Sequence, residues 1–248
     1  MHGRSAVWRL GAALVLLAPG FVPAPALAQA DGLAISPVRV DLVPGRKSEV
    51  VTLSNAGSAR KTVQAEVVAW RQQDGADVYE PTSELLVSPP LFFLEPGARQ
   101  VVRIGRPTGA PPAVGAERSY RVFFQEIPDA DGARPAIGLR FALRIGIPVF
   151  ALPVGGAAER LEWTAHRQAD GALRLVAANT GAAHAKISDL ALSDPRGEAL
   201  PAEGFRYVLP GSRQEWLFRP PQPLPATIRV SARTEAGATE LELVPRVD

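Results

Sequence analysis

The sequence predicts an all-β protein built as two antiparallel sandwich domains in tandem. Helical periodicity is almost absent, and short apolar, β-branched runs alternate with Gly, Pro, Asn and Asp at intervals of about 8–12 residues. The stretch Pro153-Val154-Gly155-Gly156 marks a linker after the first seven runs.

Taken in order, strands are expected at 33–40, 48–54, 62–70, 85–88, 100–105, 118–127 and 137–152. Turn signals separate them: Pro44-Gly45, Asn55-Ala56-Gly57, Asp74-Gly75, Pro89-Pro90, Pro96-Gly97 and Asp131-Gly132. Seven such strands make one sandwich, expected to occupy 31–153. A shorter, less apolar set follows at 161–168, 173–179, 185–193, 214–218, 227–234 and 240–244, within a second domain at 157–248. No clean repeat between the two halves is visible in the sequence.

Residues 1–28 read as a cleaved export signal. Arg4 and Arg9 form a basic start, 10–17 (LGAALVLL) an apolar core, and Ala26-Leu27-Ala28 a small-x-small cleavage site. The apolar core is too short to span a bilayer comfortably, and Pro19, Pro23 and Pro25 follow it. No membrane segment is therefore expected after cleavage. The mature chain would carry equal numbers of acidic and basic side chains, with no basic face for nucleic acid. There is no cysteine, which excludes thiol catalysis and cysteine-bound metal. A chain of about 220 residues can bury enough surface to fold without disulfides. His166 and His184 read as surface residues and leave little for a metal site or a Ser-His-Asp triad. No cofactor, no metal and no enzymatic activity are expected.

Between 139 and 149 every second residue is large and apolar: Leu139, Phe141, Leu143, Ile145, Ile147 and Val149. A strand points successive side chains to opposite faces, so these six share one face. Periodicity alone describes a half-buried core strand. At a sheet edge, the same run could instead pair with another chain through backbone and side chains together.

Several segments together resemble the periplasmic pilus-assembly chaperones of the chaperone–usher pathway. They are Ile35-Ser36-Pro37-Val38-Arg39-Val40, Leu53-Ser54-Asn55, Val67-Val68-Ala69-Trp70, Pro89-Pro90, Leu94-Glu95-Pro96-Gly97, Val101-Val102-Arg103-Ile104, Glu117-Arg118-Ser119-Tyr120-Arg121, Gln125-Glu126-Ile127-Pro128 and Ile147-Pro148-Val149-Phe150. They cover nearly all of 33–153 in the family's order; beyond 154 the likeness is loose, mainly Asn179-Thr180-Gly181. The resemblance implies two immunoglobulin-like domains with a cleft between them, in the periplasm. It implies clients that are pilin-type fibre subunits lacking their last strand, and delivery to an outer-membrane usher. The donor strand would be the 139–149 run, with Leu139, Phe141, Leu143 and Ile145 entering the client groove. In the free protein it could be covered by a loop or by a second copy in a self-capping dimer.

In the best-known members a lysine near the end of this strand and an arginine on the first strand bind the client carboxylate. Arg39 matches the arginine, whereas the lysine position is Pro148. This departure, with the short loop 129–135, resembles the archaic-type branch and asks for a substitute cation. Arg118 and Arg121 are the candidates; on a strand they point to opposite faces, so one serves. The plainer reading of Arg39 is a surface ion pair with Asp41 or Glu49. Trp70, Tyr120, Phe123 and Phe124 read as sandwich core, Asn55 as a turn former, and Glu126 as a candidate for an interdomain ion pair. An exported β-sandwich hydrolase lacks any visible nucleophile–base set. A fibre or adhesive subunit would lack its last strand and carry a free donor segment, whereas the first domain here carries a full strand set.

Overall fold

The computed structural model describes residues 32–128, 142–193, 199–221 and 225–247, and every regular element among them is a strand. The first domain contains β1 (Leu33–Ser36), β2 (Val40–Leu42), β3 (Ser48–Asn55), β4 (Lys61–Gln73), β5 (Ala76–Pro81), β6 (Leu86–Ser88), β7 (Leu91–Leu94), β8 (Arg99–Gly105), β9 (Arg118–Ile127) and β10 (Arg144–Ala151). One sheet has the order β1-β3-β8-β6, and the facing sheet β2-β10-β9-β4-β5 with β7 also on β4. The second domain contains β11 (Leu161–Arg167), β12 (Leu173–Asn179), β13 (Ala185–Ser193), β14 (Ala199–Pro201), β15 (Arg206–Val208), β16 (Arg213–Phe218), β17 (Ile228–Thr234), β18 (Gly237–Leu243) and β19 (Arg246–Val247). Its sheets run β16-β12-β11-β19 and β14-β13-β17-β18, with β15 on β13. The molecule is thus two immunoglobulin-like sandwiches in tandem.

Period-two patterning sorts the side chains. On β9, Tyr120, Val122 and Phe124 turn inward while Arg121 and Phe123 turn outward. The first core gathers Leu53, Val63, Ile104, Val122, Phe124 and Val149; the second gathers Leu175, Ile187, Leu192, Trp216, Ile228 and Val230.

The expected strand 33–40 is split. β1 pairs with β3 in one sheet, whereas β2 pairs with β10 in the other. Pro37 between them has no N–H to continue the first ladder, and there the chain changes sheet. The expected strand 137–152 is described from 142 onward; its first residues, Leu139 and Phe141 among them, lie outside the described residues. Sequence reasoning missed β5, whose mostly exposed residues, Ala76 to Pro81, carry no apolar alternation. The turn ahead of it was legible: Asp74 and Gly75 both take positive φ, 51° and 79°, as a two-residue hairpin of this type requires.

The two domains also share a corner that the sequence did not announce. Asn55, 1 % exposed, donates its Nδ2–H to Ala59 O (2.7 Å) and Leu94 O (2.9 Å) and accepts at Oδ1 from Gly57 N–H (3.0 Å). Asn179, also 1 % exposed, donates to Ala183 O (2.7 Å) and Val208 O (2.9 Å) and accepts from Gly181 N–H (3.0 Å). Each asparagine is clasped by a Pro-Gly turn: Gly97 N–H bonds Asn55 O and Gly211 N–H bonds Asn179 O, both at 2.9 Å. Both glycines sit at φ +72°, which side chains rarely adopt. The repeat is Leu94-Glu95-Pro96-Gly97 against Val208-Leu209-Pro210-Gly211.

Asn55→Ala or Asn179→Ala is expected to cost about 1–3 kcal/mol, because buried carbonyls lose their donor. Thermal unfolding checks this. An unchanged melting temperature for both variants would show that water replaces the amide.

Candidate functional site: the interdomain cleft

A cleft of about 1060 Å³ lies between the domains. Arg39, Trp70, Arg121 and residues 145–148 line its first-domain wall, and Lys186, Phe205, Tyr207 and Glu235 its second-domain wall.

The junction is built from aromatic packing and hydrogen bonds. Phe150 points away from the first core and forms a separate buried cluster with Trp70 and Leu209, flanked by Leu152 and Tyr207. Trp70 therefore serves the junction rather than the sandwich core, because its strand position faces outward toward the second domain. Phe123 also departs from the core reading: it turns outward, with Tyr79 edge-on (5.3 Å) and the Arg144 guanidinium over it (4.0 Å). Tyr120 and Phe124 do pack in the first core. Gln72 clasps the second domain at two points, donating to Tyr207 O (2.9 Å) on β15 and accepting from Leu209 N–H (3.0 Å) just past it. Gln214 donates to Gly75 O (3.1 Å).

His184 is not a surface residue. Its ring stacks on Phe150 at 3.5 Å between centroids and 8° between planes, and Nδ1 lies 2.9 Å from both oxygens of the buried Glu117. Nothing in the spacing of Glu117 and His184 could announce this pair, 67 residues apart. Glu126 forms no interdomain ion pair among the described residues; it meets Lys61 at 3.0 Å inside the first domain.

Arg39 stands just before β2 and enters the cleft beside β10. Its Nε and one terminal nitrogen meet Asp41 Oδ2 at 3.2 and 2.9 Å, and the other terminal nitrogen donates to Glu235 Oε1 across the cleft. Partial burial works against the charge, but Asp41 and Glu235 outweigh it and raise the Arg39 pKa. The ion pair with Asp41 is present; Glu49 is held by Arg46 instead (2.8 Å).

Arg121 and Arg118 part company, as strand geometry demands. Arg121 is directly opposite Pro148 in the β9–β10 ladder, so the two side chains share a face. Its guanidinium lies 4.2 Å from the Trp70 ring centre and 5.9 Å from that of Tyr79, with Asp77 at 3.8 Å. Its Nε is buried without a hydrogen-bond partner among the described residues. Arg118 lies opposite Ala151, outside the cleft lining, paired with Glu84 at 2.8 Å.

β10 supplies the last component. Ile147, Val149 and Ala151 are buried in the protein's own core, Ile145 is half-buried against it, and Leu143 is 37 % exposed. β2 runs parallel to β10 and pairs with it only at Val149, Phe150 and Ala151. From Arg144 to Pro148, β10 is paired by β9 on one edge and by no strand among the described residues on the other.

Two sandwiches in tandem, with an arginine-bearing cleft between them and a strand edge left unpaired among the described residues, define a two-domain immunoglobulin-like protein. A sequence model of the pili and flagellar-assembly chaperones, for the N-terminal domain typified by PapD, matches residues 32–157, and the chain belongs to that family. Membership supports a chaperone role. A search of curated protein sequences gives no match. Among solved structures, the chain resembles one in the CsuC–CsuE chaperone–tip adhesion subunit pre-assembly complex of the archaic Csu pili of Acinetobacter baumannii. The TM-score is 0.64 at 23% identity, over 88% of this chain and 99% of that one. A chain in the Salmonella enterica complex of SafA pilin with the SafB chaperone gives 0.60 at 20% identity, over 86% and 96%. The Pseudomonas aeruginosa CupB2 chaperone gives 0.56 at 19% identity, over 86% and 100%.

The Glu84 cluster yields a pH test. The Tyr120 hydroxyl donates to Glu84, and this bond first, then Arg118, holds the Glu84 carboxyl below its ordinary value of 4.5 despite partial burial. A depressed carboxylate stabilises the fold above its unfolded pKa and loses that contribution as pH falls through the folded one. Wild type is therefore expected to lose melting temperature more steeply than Glu84→Gln as pH drops below about 4.5. Parallel curves would remove Glu84 from the acid response.

Proposed function

We propose that this protein is a periplasmic, non-enzymatic chaperone that lends β10 and its upstream residues to pilin-type fibre subunits and hands them to an outer-membrane usher. The observation that carries the reading is the split character of β10: anchored in its own core at Ile147 and Val149, yet open along one edge from Arg144 to Pro148 with Leu143 exposed. Apolar groove and unpaired backbone in a client are both costly in water, and a donated strand relieves them together. Each of Leu139, Phe141, Leu143 and Ile145 contributes roughly 1.5–3 kcal/mol if fully buried there.

Direction and stop follow from the register. A client strand lying on the open edge ahead of β2, with its C-terminus at Arg39, runs from the Arg144 end toward Pro148, parallel to β10. Its carboxylate meets Arg39, whose guanidinium is held ready by Asp41. Arg121 is the second cation, because it shares a face with Pro148, where the resemblance calls for a lysine. Arg118 is held by Glu84 outside the cleft and is assigned no part in the anchor. Pro148 in place of lysine and the archaic Csu neighbour support assignment to the archaic-type branch. Residues 1–28 as an export signal support the periplasmic site.

Co-expression of the wild-type chaperone with a pilin-type subunit tests this. Leu143→Glu is expected to abolish co-purification while leaving chaperone unfolding nearly unchanged. Ile147→Glu should instead unfold the chaperone, since it puts a charge into its own core. Destabilisation by Leu143→Glu equal to that by Ile147→Glu would return the whole run to an ordinary core strand. Arg39→Ala should weaken capture by about 2–5 kcal/mol, and Arg118→Ala should leave it unchanged.

A further inference from the structure

Arg39 does not face the cleft uncommitted: a carboxylate of the second domain already occupies it. We propose that Glu235 is a resident stand-in for the client carboxylate, which an incoming C-terminus must displace to bind. The inference rests on Arg39 being the anchor.

The geometry around Arg39 leads to it. Asp41 holds the inner side of the guanidinium through Nε and one terminal nitrogen, leaving the other terminal nitrogen as the outward donor. Glu235 Oε1 accepts from that nitrogen. The chain separation of 196 residues makes this a contact between domains, not a local pair. Glu235 is also easy to move. It lies in the two-residue turn between β17 and β18 with its side chain 47 % exposed, so it can leave Arg39 without unpacking a core. The turn itself stays put, because Thr234 Oγ1 donates to Glu159 and accepts from Ala236 N–H at 3.2 Å. Finally, the second oxygen of Glu235 lies 4.0 Å from His184 Nε2, which is buried without a hydrogen-bond partner among the described residues. At 4.0 Å this is no hydrogen bond, so the second oxygen does not tie Glu235 down.

The consequence is selectivity. A lone small carboxylate competes with a tethered one and loses, since Glu235 is already in place at high effective concentration. A client that also adds a strand to the open edge of β10 brings backbone and apolar terms that Glu235 cannot match. Displacement also breaks the ion pair joining the β17–β18 turn to Arg39, so client binding reports directly to the second domain.

The test uses the mature protein and a short synthetic peptide of alternating valine and threonine, with either a free or an amidated C-terminus, followed by tryptophan fluorescence. Glu235→Gln is expected to tighten the free-carboxylate peptide by about fivefold, the effect of removing one competing half-exposed ion pair, and to leave the amidated peptide unchanged. Thermal unfolding of the variant confirms that it is folded. If Glu235→Gln leaves binding unchanged or weakens it, while Arg39→Ala still erases the preference for the free carboxylate, the stand-in role is overturned and the anchor survives. If neither protein prefers the free carboxylate and Arg39→Ala changes nothing, the anchor itself is overturned.

Discussion

The parallel pairing of β2 with β10 begins at Val40 and Val149, and most of the cleft follows from that starting point. Had β2 continued back along β10, the edge from Arg144 to Pro148 would be closed and Arg39 would be one more ladder residue. Pro37 prevents β1 from running straight into β2, and Pro148 offers no N–H for a bond at the next position. The two prolines act at opposite sides of one boundary. The result is a strand fixed on both edges at one end and on a single edge at the other. Arg39 sits at the point where the edge changes from closed to open. An exposed edge is ordinarily a hazard for aggregation. Here Pro148 closes it at one end, and Arg144 places a charge over Phe123 along it.

The opposite face of β10 ties this edge to the second domain. Phe150 belongs to the same strand as Ile147 and Val149, but its neighbours are Trp70, Leu209, Tyr207 and His184. Alternation along one strand thus feeds two different cores. The buried Glu117–His184 pair then sets a carboxyl group beside the stacked ring, and loss of either partner leaves the other without its contact in a desolvated junction. The geometry of the cleft therefore depends on packing around Phe150 as much as on its polar walls.

How much of this was legible in the sequence can be judged residue by residue. Strands at 118–127, 173–179 and 185–193 coincide with β9, β12 and β13, because each is a long run bounded by strong turn residues. Arg39 and the 139–149 run were singled out by position and alternation, and strand parity alone foresaw that Arg118 and Arg121 would separate. Three things escaped. The Asn55 and Asn179 corners repeat in space although the flanking residues differ, since the device needs only one amide, a Pro-Gly turn and two carbonyls. His184 looked like a surface residue because its partners Glu117 and Phe150 come from the other domain. Glu235 carries no motif; a turn glutamate becomes part of a site only once two domains face each other.

The two cations on the first-domain wall of the cleft, Arg39 and Arg121, are ordered in different ways. Arg121 leans on the faces of Trp70 and Tyr79, with its nearest carboxylate, Asp77, at 3.8 Å. A cation held over aromatic rings keeps its orientation while giving up little of its capacity to bind an anion. Arg39 is held by Asp41 from behind, which fixes the fork and leaves its outer nitrogen to a movable partner. These are two solutions to one problem: a binding site for a carboxylate needs guanidinium groups that are ordered before the ligand arrives, yet not neutralised by the groups that order them. Aromatic faces solve it without adding negative charge. Asp41 adds negative charge on the inner side only, so the outward nitrogen remains the point where an arriving C-terminus and Glu235 must compete.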